Sequence, residues 1–148
     1  MALFCLQPVQ SKLSNRKDSC QGGNCDTSAA YCLQEFKNLI SEGHWGYFDK
    51  RMAYKTLDDL DWENEQLVEV LGRLDSDDYQ KTFPDCEVHN LPGQLTIHGD
   101  QYGIYWHPET KTRRRGPEDG TLALSLKIAI ATRSNGICAG IVTLHPSR

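Results

Sequence analysis

The chain has 148 residues, of which 39% are apolar, and its 16 Lys and Arg against 20 Asp and Glu give a formal net charge of −4. This length predicts one domain with a single core. No apolar run approaches the ~20 residues that a helix needs to cross a bilayer. The first ten residues are too few and too polar for the apolar part of a secretory signal. A cytoplasmic protein is therefore expected, in which the six cysteines are thiols.

Charge is distributed unevenly along the chain. Residues 1–78 hold 8 Lys and Arg against 14 Asp and Glu, whereas residues 79–148 hold 8 against 6 and four of the five histidines. The second half is therefore the part expected to meet an anionic ligand, although a solvated surface alone would give the same pattern.

Residues 1–26 are polar and show no apolar period, which predicts a flexible leader before a single domain at 27–148. Four thiols, Cys5, Cys20, Cys25 and Cys32, could in principle bind zinc. Their spacings lack the paired two-residue gaps typical of structural zinc sites, so unligated thiols are favoured. No metal and no cofactor is predicted.

Apolar residues at helical spacing predict a helix over 28–42, ended by Gly43, a short helix from Asp49 and another from Trp62 to Leu74. Residues 44–48, which are rich in aromatic side chains, are predicted to form a connecting loop. Ser76 and Asp77 predict one more helical turn that ends at Pro84, because proline cannot continue a helix.

After Pro84 the apolar period changes to two. Apolar residues on both sides of Gly99-Asp100 predict a hairpin that turns there. Residues 107–120 are predicted to be a polar loop. Residues 122–130 alternate strictly, and Asn135-Gly136 has the composition of a type I′ turn, so a second hairpin returns along 137–144. The predicted class is α+β, with an acidic helical layer packed on a small twisted antiparallel sheet of four strands.

Motifs for common cofactors are absent from the sequence, which contains no GxxxxGK[ST], GxGxxG, HExxH or GxSxG. The second half instead combines His, Lys, Arg and Tyr. These side chains suit RNA cleavage without a metal, which needs a base for the 2′-hydroxyl proton, an acid for the leaving 5′-oxygen and cations around the phosphate.

Three features of this half have two interpretations each. Arg113-Arg114-Arg115 is either a solvated loop tip or a phosphate-binding finger. Lys127 interrupts a nearly uncharged strand and must face solvent or a cleft, because burying it unpaired is costly. His145, at the end of the last strand, is either an exposed terminal residue or a proton donor or acceptor.

A resemblance to a known family rests on four segments, YCLQEFKNLISEG, LVEVLGRLDSDDYQKTF, TLALSLKIAI and IVTLH, within residues 31–146. In this order they resemble the MqsR family, toxins named for motility and quorum-sensing regulation. Lys81 matches the family's Lys after an Asp-aromatic pair, and Gln101 resembles the Gln of its Trp-Gln-Asp-Val-Tyr segment. The family's Tyr before a strand Lys falls at Ser125, two residues before Lys127, and its terminal Lys falls at His145.

The resemblance implies a RelE-like fold and the toxin of a type II toxin-antitoxin system. Such a protein is a metal-independent endoribonuclease that cleaves mRNA, and its partners are RNA and a cognate antitoxin protein. Lys81 and Lys127 would stabilise the phosphate, and His145 would act as acid or base. Lys81 and His145 are then expected to share one phosphate. Gln101, the fourth implied catalytic residue, would position the substrate together with Tyr102 and Tyr105. Added affinity would come from Arg113, Arg114, Arg115 and Arg148.

The alternative interpretation is a non-catalytic module of the same fold that binds a protein partner or nucleic acid. Such a module would keep the fold of the family but differ from it in residue type at catalytic positions, as this chain does at Ser125 and His145.

Overall fold

The computed structural model describes residues 29–88, 96–133 and 136–146. Within these ranges the helices are α1 (Leu33–Ser41), α2 (Lys50–Leu60) and α3 (Asn64–Gly72), followed by a 3-10 turn at Ser76–Asp78. The strands are β1 (Trp45–Tyr47), β2 (Tyr79–Glu87), β3 (Thr96–His107), β4 (Thr112–Arg114), β5 (Leu122–Arg133) and β6 (Gly136–Pro146). The predicted leader at 1–26 lies outside the described residues.

The strands form one sheet in the order β1-β6-β5-β3-β2, and β4 pairs with the end of β3 that β2 does not reach. The α+β class, with helices packed on a sheet, is confirmed. The sheet is mixed rather than antiparallel, because β1 runs parallel to β6. It also has two strands more than the predicted four within the described ranges, since β1 and β4 are three residues long and too short to show a period.

The two faces of the sheet differ in what covers them. The face that carries Leu124, Leu126, Ile128 and Ile130 is buried and joins the core residues of α1 and α3; it is called the inner face below. The apolar positions predicted for residues 122–130 thus lie on one face, while Ser125 and Ala129 of the opposite face are buried as well. The opposite face, called the outer face, carries Lys127 and the residues paired with it on neighbouring strands.

The hairpin predicted at Gly99-Asp100 is wrong, because β3 runs straight through these residues. Asp100 lies on the inner face and is fully buried. Its carboxylate accepts hydrogen bonds from the backbone N–H groups of Ala30 and Tyr31, both at 2.9 Å, and from the Thr82 hydroxyl at 2.6 Å. A Gly-Asp pair is locally typical of a turn, but here partners distant in sequence hold it in a strand.

The helical turn predicted up to Pro84 is also wrong. Only Ser76–Asp78 is helical, as a 3-10 turn, and β2 begins at Tyr79. Pro84 lies at an irregularity in the pairing of β2 with β3, between Phe83 and Cys86. Proline is tolerated there, because a bulge in an outermost strand does not need its missing N–H for the ladder.

The C-terminal hairpin is confirmed as β5 and β6, with one shift of register. Arg133 pairs with Gly136, so Gly136 belongs to β6 and not to the turn, while residues 134–135 lie outside the described part of the chain. Val142 forms a bulge, because Lys127 pairs with Thr143 and Ile128 with Ile141.

Cysteine chemistry is only partly as predicted. Cys32 and Cys86 are free thiols, but Cys138 is disulfide-bonded, which corrects the expectation at that position. Of the four proposed zinc ligands only Cys32 lies within the described residues, and these contain no group of three His, Cys, Asp or Glu able to hold a metal ion. None of the helices in the described part is long and apolar enough to cross a membrane.

Replacement of Asp100 by Ala should lower the free energy of unfolding by about 3–5 kcal/mol, because it leaves buried donors without an acceptor. Asp100→Asn keeps one acceptor oxygen and should cost less. Urea denaturation measures both, with exposed Asp119→Ala as a control expected to stay within about 0.5 kcal/mol of wild type. Equal stability of Asp100→Ala and wild type would contradict this role.

A methyl group at Gly140 should destabilise the fold by about 1–3 kcal/mol, because it would overlap the ring of buried Phe48. Gly72 is the matched control: nothing lies within 4 Å of a Cβ there, and Gly72→Ala in α3 should stabilise by about 0.5–1 kcal/mol. The double variant Gly140→Ala/Phe48→Leu should lose less free energy of unfolding than the sum of the losses in the two single variants, because the smaller side chain leaves room for the methyl group. A loss equal to that sum, measured by thermal unfolding, would refute the overlap.

Candidate functional site

Three of the four predicted catalytic residues lie in one row across the outer face. Lys81 on β2 pairs with Gln101 on β3, Gln101 with Lys127 on β5, and Lys127 with Thr143 on β6. Paired residues of neighbouring strands project to the same face. These four residues are called the cross-strand row. His145 lies on the same face in the adjacent row, opposite Ser125.

Phe83 brings the two lysines of the row together. The Nζ of Lys81 lies 4.6 Å and the Nζ of Lys127 lies 4.2 Å from the centroid of its ring. The two ammonium nitrogens are therefore at most about 9 Å apart, the sum of these two distances. The stem of Lys127 crosses Gly99, where a Cβ would meet its carbons at 3.4 Å.

Neither Lys81 nor Lys127 forms an ion pair with the described residues. The ion pairs found there join other side chains. Lys81 is exposed and Lys127 half-buried, so both are open to an incoming ligand. Two cations beside one aromatic ring, without an ion pair among the described residues, suit an anion such as phosphate.

Lys81 and His145 share the outer face but lie three strands apart in the sheet. With ~4.8 Å between neighbouring strands, their backbones are ~14 Å apart. β3 and β5 lie between their strands, and the expectation that the two side chains share one phosphate stays a prediction. Lys127 and His145 are diagonal neighbours on β5 and β6, about 7–8 Å apart at the backbone, so this pair is closer together than Lys81 and His145 for contact with one phosphate.

The ring of His145 is oriented by the backbone. Its Nδ1 lies 3.1 Å from the carbonyl oxygen of Pro146. A carbonyl oxygen only accepts, so Nδ1 carries the hydrogen in this contact, and Nε2 of the neutral ring is free to accept a proton. The ring is half-exposed, which leaves it within reach of a ligand on the outer face.

Gln101 is held in place by a residue that sequence reasoning did not select. Its Nε2 donates to the Oε1 of Gln80 at 2.7 Å, and the side chain of Gln80 lies over Gly103. Gln80 is the extra residue of a bulge, since Tyr79 pairs with Tyr102 and Lys81 with Gln101. Phe83 was also missed. The sequence shows an aromatic residue two positions after Lys81, but this spacing puts both side chains on one face only if β2 is a strand.

The two predicted tyrosines have opposite environments. Tyr102 is fully buried on the inner face, with its ring 5.7 Å from that of Tyr79. A direct contact between Tyr102 and a substrate is therefore not available. Tyr105 is half-exposed on the outer face, two residues along β3 from Gly103, and remains a candidate for substrate contact.

The arginine run begins in β4, a strand within the predicted polar loop. Arg113 pairs with Asp78, and Arg114 lies 3.7 Å from Glu118, so both charges have internal partners. Burial raises the pKa of the Asp78 carboxyl, against the opposing effects of a backbone N–H and of Arg113. Arg115 is exposed and is the member of the run without an ion pair among the described residues. Arg148 lies outside the described part.

A groove of about 650 Å³ lies along the edge of β3 that faces away from β5, in the gap between the residues paired with β2 and those paired with β4. Its lining comprises Asp77, Asp78, Gly103, Ile104, Tyr105 and Arg113 to Arg115. Because this lining mixes both signs of charge, the groove is a weaker anion site than the cross-strand row.

The thiol of Cys86 reports on the charge of Lys127. Burial raises the pKa of Cys86, and the ammonium of Lys127 partly offsets this. Lys127→Met should raise the Cys86 pKa further and slow its alkylation at pH 8 by about two- to five-fold. Peptide-resolved mass spectrometry over a pH series measures this, with Lys55→Met on α2 as the control. An unchanged pH midpoint would show that the ammonium does not lie near the thiol.

Comparison with known proteins adds no relative: no protein-family model, no curated protein and no solved structure matches the chain. The resemblance to the MqsR family therefore stays a prediction from the sequence.

Proposed function

We propose that the protein is a metal-independent endoribonuclease that cleaves mRNA on the outer face of its sheet. The observation that carries the proposal is the cross-strand row, in which Lys81, Gln101 and Lys127 lie side by side with His145 in the next row. This arrangement supplies cations, an amide and an imidazole on one face, which are the groups that phosphodiester transesterification needs.

In the proposed reaction the scissile phosphate lies between Lys127 and His145. Nε2 of His145 takes the proton of the 2′-hydroxyl, and the 2′-oxygen forms a bond to phosphorus. The bond from phosphorus to the 5′-oxygen breaks, and that oxygen takes a proton from water. Lys127 stabilises the charge on the phosphoryl oxygens. The products are a 2′,3′-cyclic phosphate and a 5′-hydroxyl.

The remaining residues of the site bind the strand around this phosphate. Lys81, about two strands from Lys127, suits a neighbouring phosphate of an extended RNA rather than the scissile one. Tyr105 offers a ring for base stacking, and Arg115 adds a phosphate contact without reading sequence.

The proposal also makes the protein the toxin of a type II pair, as the MqsR resemblance implies. Residues 29–78, which contain the helices, hold 5 Lys and Arg against 12 Asp and Glu. This acidic part would repel RNA and suits a basic surface on an antitoxin protein.

An mRNA substrate would place the protein in the cytoplasm, where glutathione and thioredoxin would reduce the disulfide of Cys138.

Purified protein should cleave a synthetic mRNA in the presence of EDTA and leave 5′-hydroxyl ends. Lys127→Ala should lower the rate about 10²–10³-fold and His145→Ala about 10²–10⁴-fold. Lys111→Ala, which removes an exposed lysine elsewhere, is the matched control and should stay within about two-fold of wild type. Mapping the new 5′ ends after induction in cells tests the same activity on natural transcripts.

The non-catalytic module predicts a different result from these experiments. One observation favours it: His145 is the only histidine in the two outer-face rows of the described sheet, so no second imidazole is there to serve as acid. Such a module would bind RNA with salt-dependent affinity that falls in Lys81→Ala and Lys127→Ala, while the RNA stays intact. Intact RNA with folded wild-type protein would therefore contradict the nuclease and support the module.

A further inference from the structure

A second pocket lies at the junction of α2 and α3, and none of its lining residues belongs to the cross-strand row. Its volume is about 260 Å³, and its lining comprises Tyr54, Leu57, Asp58, Trp62, Glu63 and Asn64. Pockets for small ligands usually measure about 300–1,000 Å³, so this one has room for a single side chain rather than for a nucleotide.

The pocket has aromatic walls that are open to solvent. Tyr54 is 42% exposed and is the one large hydrophobic side chain among the described residues that is exposed. Its ring packs edge-on against that of Tyr47, with centroids 5.2 Å apart, which fixes its orientation. Trp62 is partly buried against the core and presents the rest of its ring to the pocket.

The electrostatics of the pocket favour a cation. Asp58 lies in the last turn of α2, at the helix end where the backbone carries partial negative charge. This turn contains no basic residue, and the ion pairs of the described residues leave Asp58 without one: Lys55, one turn earlier, pairs with Asp59. Glu63 contributes a second carboxylate, although it also caps the start of α3.

We propose that this pocket binds an arginine side chain of a partner protein. A planar guanidinium stacks on Tyr or Trp rings and at the same time donates two parallel hydrogen bonds to a carboxylate, which a lysine ammonium does not do. The occupant is assigned to a protein because the surrounding residues 29–78, with 12 acidic against 5 basic side chains, repel nucleic acid and attract a basic peptide segment. This site does not depend on whether the outer face cleaves RNA.

The test is a titration of ¹⁵N-labelled full-length protein with the tripeptide acetyl-Gly-Arg-Gly-amide, followed through the indole N–H of Trp62. A Trp62→Phe variant assigns that signal among the three tryptophans. The arginine peptide should give saturable shifts. The matching peptide with citrulline, a neutral isostere of arginine, should bind at least about five-fold more weakly. The affinity of the lysine peptide should lie between those of the arginine and citrulline peptides.

Two variants that each remove one negative charge distinguish binding in the pocket from general attraction to an acidic surface. Asp58→Asn should weaken binding of the arginine peptide about five-fold or more. Asp61→Asn, three residues away and outside the lining, should change it less than about two-fold, and asparagine suits the left-handed backbone at φ 59° there. Tyr54→Leu, at an exposed ring, should also weaken binding and serves if Asp58→Asn proves unstable.

Three results would overturn the proposal. They are equal affinities for the arginine and citrulline peptides, equal losses in Asp58→Asn and Asp61→Asn, and tighter binding of choline than of the arginine peptide, which would assign the pocket to quaternary ammonium ligands instead.

Discussion

The buried carboxylate of Asp100 is the interaction on which the arrangement of this protein depends. It accepts hydrogen bonds from the backbone before α1 and from Thr82 on β2, so it joins the helical layer and the outermost strand to β3. Because strand side chains alternate, holding Asp100 inward holds Gln101 outward. A slip of one residue would turn the cross-strand row into the core, so the same contact that stabilises the fold also positions the candidate site.

The sequence predicted those parts of the fold in which local pattern and tertiary structure agree. Strict alternation over residues 122–130 predicted β5, the turn signal at Asn135-Gly136 predicted the return along β6, and helical spacing predicted α1, α2 and α3. It failed where long-range partners override local preference. Ser76 and Pro84 resemble the two ends of a helix but bracket most of β2, and Gly99-Asp100 resembles a turn but lies within β3. No local signal shows that the backbone of Ala30 and Tyr31, just before α1, will donate hydrogen bonds to Asp100.

The residues of the candidate site could be selected by chemical type, but their arrangement could not be derived from spacing. Lys81 reaches the outer face only because Gln80 forms a bulge, which shifts the alternation of β2 by one residue. Phe83, which lies against both lysines, acquires its importance from this shift. Tyr102 shows the opposite effect: the family resemblance implied a substrate contact for it, and alternation along β3 buries it.

The central claim is that RNA binds along the outer face with its phosphates at the cross-strand row. The most direct measurement is NMR mapping of the backbone amides with a 2′-O-methylated RNA, which binds without being cleaved. We expect the largest shifts at Lys81, Gln101, Lys127 and His145, reduced by Lys127→Ala and by added salt. Shifts confined to the groove beside β4 or to the helices, with none along the row, would contradict the account.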